Sequence, residues 1–173
     1  MNSPEQWLRN PEFRLRSLLR SLTEGGVDFV VIGGVAVIVQ ASPRLTKDLD
    51  ICYDPGHENL ERLAAVLVKL EAKLRGVDED LPFVPDARTL RRTQILTLTT
   101  VDGGIDLLVD PDGSPSYSAL RRRASQVEFE GVSVRVASVD DLIAMKRAAG
   151  RPQDLVDLEA LEIARIRTRR GGK

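Results

Sequence analysis

The run Phe29-Val-Val-Ile-Gly33-Gly34-Val-Ala-Val-Ile-Val-Gln40, followed after Pro43 by Arg44-Leu-Thr46-Lys-Asp48-Leu-Asp50-Ile-Cys-Tyr53, decides the fold of this 173-residue chain. Phe29 to Ile32 is rich in residues that suit a pleated strand, and the glycine pair breaks the run. Val35 to Gln40 continues without a polar break and is ended by Pro43, so the pattern reads as strand, tight glycine turn, short helix. Asp48 to Tyr53 is a second strand with a polar face at its start. Alternation along that strand puts Asp48 and Asp50 on one face, side by side. Two like charges so placed repel unless a cation lies between them, and hard oxygen donors suit magnesium.

Upstream, Leu15, Leu18, Leu19 and Leu22 recur at three and four, which predicts a helix ending before Gly25-Gly26. Downstream, Leu60, Leu63, Leu67, Leu70 and Leu74 keep a helical period. Asp78 to Ala87, with Pro82 and Pro85, reads as a loop. Gln94 to Thr100 and Gly104 to Val109 read as a hairpin joined through Val-Asp-Gly. A loop over Pro111 to Ser118 and a short helix over Leu120 to Val127 come next, then a strand in which Val132, Val134 and Val136 alternate. Ser138 resembles an N-cap for a helix through Ala148 whose first turn holds Asp140 and Asp141. After Gly150 and Pro152 a last helix covers Gln153 to about Arg165. The expected architecture is α/β (α+β), a small mixed β-sheet with helices packed on it. Its expected divisions are an N-terminal helical segment over 1–25, a main domain over 26–165 with two C-terminal helices, and a basic tail over 166–173.

The 25 basic residues nearly balance the 26 acidic ones, which excludes a strongly basic coating protein and leaves any polyanionic partner to a local patch or to metal ions. A single cysteine, Cys52, excludes an internal disulfide, and with the single histidine, His57, it excludes a Cys/His zinc cluster. Cys52 is expected in buried strand packing, His57 at the surface, and Trp7 as an anchor for the N-terminal helix. No charged leader precedes an apolar stretch, and Phe29 to Val39 is too short to cross a bilayer, so a cytoplasmic protein without membrane contact is expected. Arg88, Arg91 and Arg92, the run Arg121 to Arg123 and the C-terminal tail are solvated faces or nucleic-acid contacts, and the tail lacks the aromatic residues that stack on bases.

A third aspartate, Asp106, opens the apolar run of the second hairpin strand, which is expected to pair with the Asp48 strand. Three carboxylates on adjacent strands are what divalent ions need to activate an attacking oxygen and steady a phosphoryl group. Asp106 is the better candidate to orient or deprotonate the nucleophile. Gly33-Gly34 permits backbone amides to approach a phosphate at the start of a helix, although neither a P-loop nor a dinucleotide fingerprint is present.

These residues carry a resemblance. Gly33-Gly34 with Ala36, then Arg44-Leu-Thr46-Lys-Asp48-Leu-Asp50, is similar to the glycine-pair and Asp-x-Asp signature of the nucleotidyltransferase superfamily with a polymerase-β-like fold, in the form found in its AbiEii toxin-like branch. Asp106 in Gly-Gly-Ile-Asp-Leu-Leu matches the third carboxylate, and Asp141 through Lys146 and Arg151 to Asp154 and Asp157 resembles the C-terminal lysine and Arg-x-x-Asp motif. Matched elements run from Asp28 to Leu161; Gln40 stands where relatives often carry histidine or another polar residue. The resemblance implies transfer of a nucleotide monophosphate from an NTP with release of pyrophosphate, using Mg2+ or Mn2+. It implies Asp48, Asp50 and Asp106 as metal ligands, with Asp106 alternatively a base, and Gly33-Gly34 as the triphosphate turn. Lys146 would neutralise phosphate or protonate pyrophosphate, with Arg44, Thr46 and Arg151 shaping the nucleotide site. The acceptor would be RNA, a protein or a small molecule, and a cognate antitoxin would be a partner. The alternative reading is a noncatalytic nucleotide-binding or protein-interaction module that keeps the fold.

Overall fold

Leu15, Leu18, Leu19 and Leu22 form the buried stripe of helix α1, Leu15–Glu24. Each fully buried leucine contributes about 1.5–3 kcal/mol through removal of apolar surface from water. The computed structural model describes residues 13–77 and 82–171; the expectation for Trp7 lies outside the described residues. After α1, strand β1 (Phe29–Ile32) is buried at all four positions and leads into helix α2 (Gly33–Gln40). The glycine pair is therefore no separate turn: Gly33, at φ +64°, and Gly34 are the first residues of α2. A side chain at that φ is disfavoured, which is why a strand can bend directly into a helix here only through glycine.

Strand β2 (Asp48–Tyr53) follows, then helix α3 (His57–Lys69). The expected leucine helix is shorter than its period suggested, because Glu71 takes φ +51° and Leu74 belongs to the two-residue strand β3 (Lys73–Leu74). Where the expected loop ends, Ala87–Arg92 forms helix α4, which the sequence reading did not anticipate, capped by the Asp86 carboxylate accepting from the Thr89 amide at 2.7 Å. Strands β4 (Ile95–Thr100) and β5 (Gly103–Leu108) form the anticipated hairpin. Helix α5 is Tyr117–Arg123, so the expected helix over Leu120 to Val127 is corrected: from Ser125 the chain is strand β6 (Ser125–Phe129), paired antiparallel with β7 (Val132–Val136). Its alternation was masked by three consecutive arginines just before it.

Ser138 caps helix α6 (Val139–Ala149) by accepting from the Asp141 amide, and Gly150 ends it in the left-handed conformation. Pro152 starts helix α7 (Pro152–Gly171), which continues past Arg165 through the residues expected as a tail. The seven strands form one mixed sheet in the order β3-β4-β5-β2-β1-β7-β6. β2 lies between β1, to which it is antiparallel, and β5, to which it is parallel. α2 packs on α6 and α7, bringing the C-terminal helices over the glycine pair. No helix among the described residues is long and apolar enough to cross a membrane.

Candidate active site

The parallel register of β2 and β5 sets Asp50 directly beside Asp106 and Asp48 beside Gly104. A one-residue slip would turn one of these carboxylates to the opposite face, so the register itself assembles the corner. Gly33 lies against the Asp50 carboxylate so closely that any Cβ there would collide with it, and a Cβ at Gly34 would lie 2.8 Å from Thr46 Oγ1 and 2.9 Å from Arg44 Nη2. The glycine pair thus makes room for this chain's own site residues. Gly33 lines the neighbouring cleft and Gly34 is buried beneath Arg44 and Thr46. Thr46 in turn donates to the Asp48 carbonyl at 3.2 Å, tying the Arg44-to-Asp48 segment to the start of β2.

Burial pushes Asp50 up to about 7, and the charges of Asp106 and Asp48 push the same way against the Lys146 ammonium and the Gly34 amide. Asp106 is raised by burial too, with Arg75 opposing and Asp48 reinforcing the shift. Its buried Oδ1 accepts no hydrogen bond from the described residues. Arg75 was not singled out from the sequence. Its Nη1 donates to Asp48 Oδ2 at 3.1 Å, and its Nη2 donates to the Leu98 carbonyl at 2.8 Å and lies 3.3 Å from Asp106 Oδ1. An arginine in Leu-Arg-Gly at a sheet edge looks like any other surface arginine in the sequence. The guanidinium packs over Gly104, beside Asp48, a contact no local sequence signal announces.

Opposite the corner stands Lys146 on α6, its side chain 9% exposed. Its Nζ lies 2.9 Å from both Asp154 Oδ1 and Asp157 Oδ2 on α7, which makes it a buried, paired lysine rather than a solvated one. Arg44 reaches Asp157 at 3.0 Å and Arg151 reaches Asp154 at 2.8 Å. Burial alone would raise Asp154, but hydrogen bonds from Arg151 and Lys146 outweigh it and hold the group at about 2. Asp157, quoted in the sequence motif without a role, is the link between Lys146 and Arg44.

Between these groups a cleft of about 470 Å3 is lined by Gly33, Asp50, Asp106, Lys146, Arg151 and Asp154. Leu108, Val109, Leu142 and Met145 give it an apolar wall. Of the residues expected at the site, Asp48, Arg44, Thr46 and Gly34 stand behind this lining, connected to it through the contacts above. Gln40 donates to the Ala137 carbonyl at 2.8 Å and joins α2 to the end of β7. Cys52 is buried, and burial pushes its thiol up to about 12, so it offers no thiolate. His57 is exposed beside Arg91.

Among the described residues no three acids already converge as a closed metal cage. The donors nevertheless fit a hard divalent ion: oxygen ligands on two adjacent strands, an Asp106 oxygen with no hydrogen bond among the described residues, and an Asp50 raised to about 7 by burial and by its acidic neighbours.

A family model described as "Nucleotidyl transferase AbiEii toxin, Type IV TA system" matches residues 16–169. No curated protein matches the chain. In structure, the chain is similar to the lincosamide antibiotic adenylyltransferase LnuA in its lincomycin-bound form, at 16% identity over 86% of this chain and 94% of that chain, with a TM-score of 0.57. It is also similar to the antibiotic-resistance factor ANT(2'')-Ia in solution, at 15% identity over 97% and 93% of the two chains with a TM-score of 0.54. The complex of ANT(2")-Ia with adenylyl-2"-tobramycin matches at 16% identity over 92% and 97%, with a TM-score of 0.52. At such identities these likenesses establish the shared nucleotidyltransferase fold.

Proposed function

The chain belongs to the AbiEii nucleotidyl transferase family of type IV toxin–antitoxin systems, and on that premise we propose that it transfers a nucleotide monophosphate from an NTP to an acceptor hydroxyl in a reaction dependent on Mg2+ or Mn2+. Asp48, Asp50 and Asp106 would hold the metal, which would polarise the phosphate oxygens and lower the cost of charge at the attacking and leaving atoms. The observation that carries this reading is the β2–β5 register, which puts Asp50 beside Asp106 at the edge of a cleft facing Lys146.

Asp106 receives or orients the proton of the attacking hydroxyl, a task suited to a carboxylate whose proton affinity burial has raised. The new bond forms between the acceptor oxygen and the α-phosphorus as the bond from that phosphorus to the pyrophosphate oxygen breaks. Lys146 and Arg151 lie across the cleft, where their charges meet the phosphates and the departing pyrophosphate. Arg44 and Thr46 hold the segment that enters β2 and pack over Gly34, and Gly33, which lines the cleft, is the part of the glycine pair that would face the triphosphate. RNA, a protein or a small molecule bearing a hydroxyl is the acceptor, and an antitoxin is the partner that restrains the activity.

The test is incubation with each α-labelled NTP, Mg2+ or Mn2+, and total RNA or cell extract, beside Asp48→Asn. Label on a macromolecule or small product with the wild type alone supports the reading and identifies the acceptor class. Equal labelling by Asp48→Asn, or labelling undiminished by a chelator, would contradict it.

A further inference from the structure

Arg75 stands at the end of the edge strand β3 and extends across β4 to the carboxylates of β2 and β5. Among the described residues it is the only cation paired with Asp48 or Asp106, and Asp50 has no ion pair. Its guanidinium is anchored at the Leu98 carbonyl and spans from one carboxylate to the other. The guanidinium packs directly over Gly104, where a Cβ would meet Nη2, and Gly104 is not among the glycines with positive φ. The Arg75 side chain is one-third exposed, so the guanidinium has a side open to solvent.

A guanidinium and a divalent ion cannot share two carboxylates without strong mutual repulsion. A triphosphate supplies the negative charge that lets both cations remain near by while only one sits between the acids. We propose that Arg75 is the resident counter-cation of the Asp48–Asp106 pair, that it must leave that position for a divalent ion to enter, and that tight metal binding consequently requires nucleotide. The inference rests on the metal-dependent reading above and adds to it an order: nucleotide and metal enter together, and free metal is held off.

The test is a Mn2+ titration followed by the electron paramagnetic resonance of the free ion. It compares the wild type, Arg75→Ala, Arg75→Gln and Asp48→Asn, with and without a non-hydrolysable NTP analogue, each checked for folding by its metal-free melt. Without nucleotide, Arg75→Ala and Arg75→Gln bind Mn2+ roughly three- to tenfold more tightly than the wild type, the scale set by losing one or two half-exposed ion pairs. With the analogue present the difference closes. Equal or weaker nucleotide-free binding by the folded arginine variants, while the wild type binds Mn2+ with the analogue, overturns the role of Arg75 and leaves the metal-dependent reading standing. No Mn2+ binding by any of the proteins under either condition overturns both. Should alanine fail to fold, the glutamine variant carries the same comparison.

Discussion

Two groups of charged side chains lie on opposite sides of the cleft and are built on opposite principles. On one side three cations, Lys146, Arg44 and Arg151, surround the two buried anions Asp154 and Asp157, and hydrogen bonds from Arg151 and Lys146 hold Asp154 at about 2. Among the described residues Asp48 and Asp106 have the single ion-pair partner Arg75 and Asp50 has none, and Asp50 is pushed up to about 7 by burial and by its neighbours. One group ties α6 and α7 to the segment before β2; the other keeps an unsatisfied demand for positive charge. The difference teaches that burial alone does not mark a functional carboxylate. A charge imbalance the fold maintains is the sharper sign.

The comparison breaks most directly at Asp48. Asp48→Asn is expected to lower nucleotide transfer by roughly 10³- to 10⁴-fold, about 4–5.5 kcal/mol of transition-state stabilisation, with the fold retained by circular dichroism. On the paired side, Lys146→Met keeps the volume but strips Asp154 and Asp157 of their shared cation, and should cost about 3–5 kcal/mol in urea unfolding. A Lys146→Met protein as stable as the wild type would show that the two groups do not differ as described.

The pH dependence separates the groups by sign. Asp50, raised to about 7 in the fold, contributes stability that is present below the unfolded value of about 4 and is lost as pH rises through 7. Asp50→Asn should therefore be more stable than the wild type by about 2 kcal/mol at pH 8 without metal, with the gap closing by pH 4. Asp154 acts in reverse: its contribution is present above about 4 and is lost as pH falls toward 2. Stability curves from pH 2 to 9 check both. The smallest effect belongs to an exposed pair outside either group, Arg62 with Glu58 at 3.4 Å, where Arg62→Ala should change stability by no more than about 0.5 kcal/mol.

Much of this contrast could be read in the chain itself. The Asp-x-Asp strand, the third aspartate on a neighbouring strand and the glycine pair were legible because strand alternation and glycine punctuation are local signals. The Ser138 cap and the paired leucines of α1 were legible for the same reason. What escaped was set by tertiary contact. Leu74 kept a helical spacing yet joined the sheet edge, and the short α4 formed around a capping aspartate at the end of a proline-bearing loop. Arg75 acquires its meaning from a carbonyl on β4 and carboxylates on two other strands, none near it in sequence. Lys146 stood out in the sequence by its motif, but its burial between two aspartates is made only where α7 covers it.

The central claim is that the acidic corner awaits a divalent ion that arrives with nucleotide. The most direct measurement is the thermal midpoint of the wild type and Asp48→Asn with Mg2+ alone, NTP alone, and both. At about a hundredfold excess over Kd, a ligand confined to the folded state should raise the wild-type midpoint by roughly 5–10 °C. The account predicts that rise for Mg2+ with its preferred NTP in the wild type, little with either alone, and its loss in Asp48→Asn. A midpoint unmoved by every combination, or moved equally in Asp48→Asn, would contradict it.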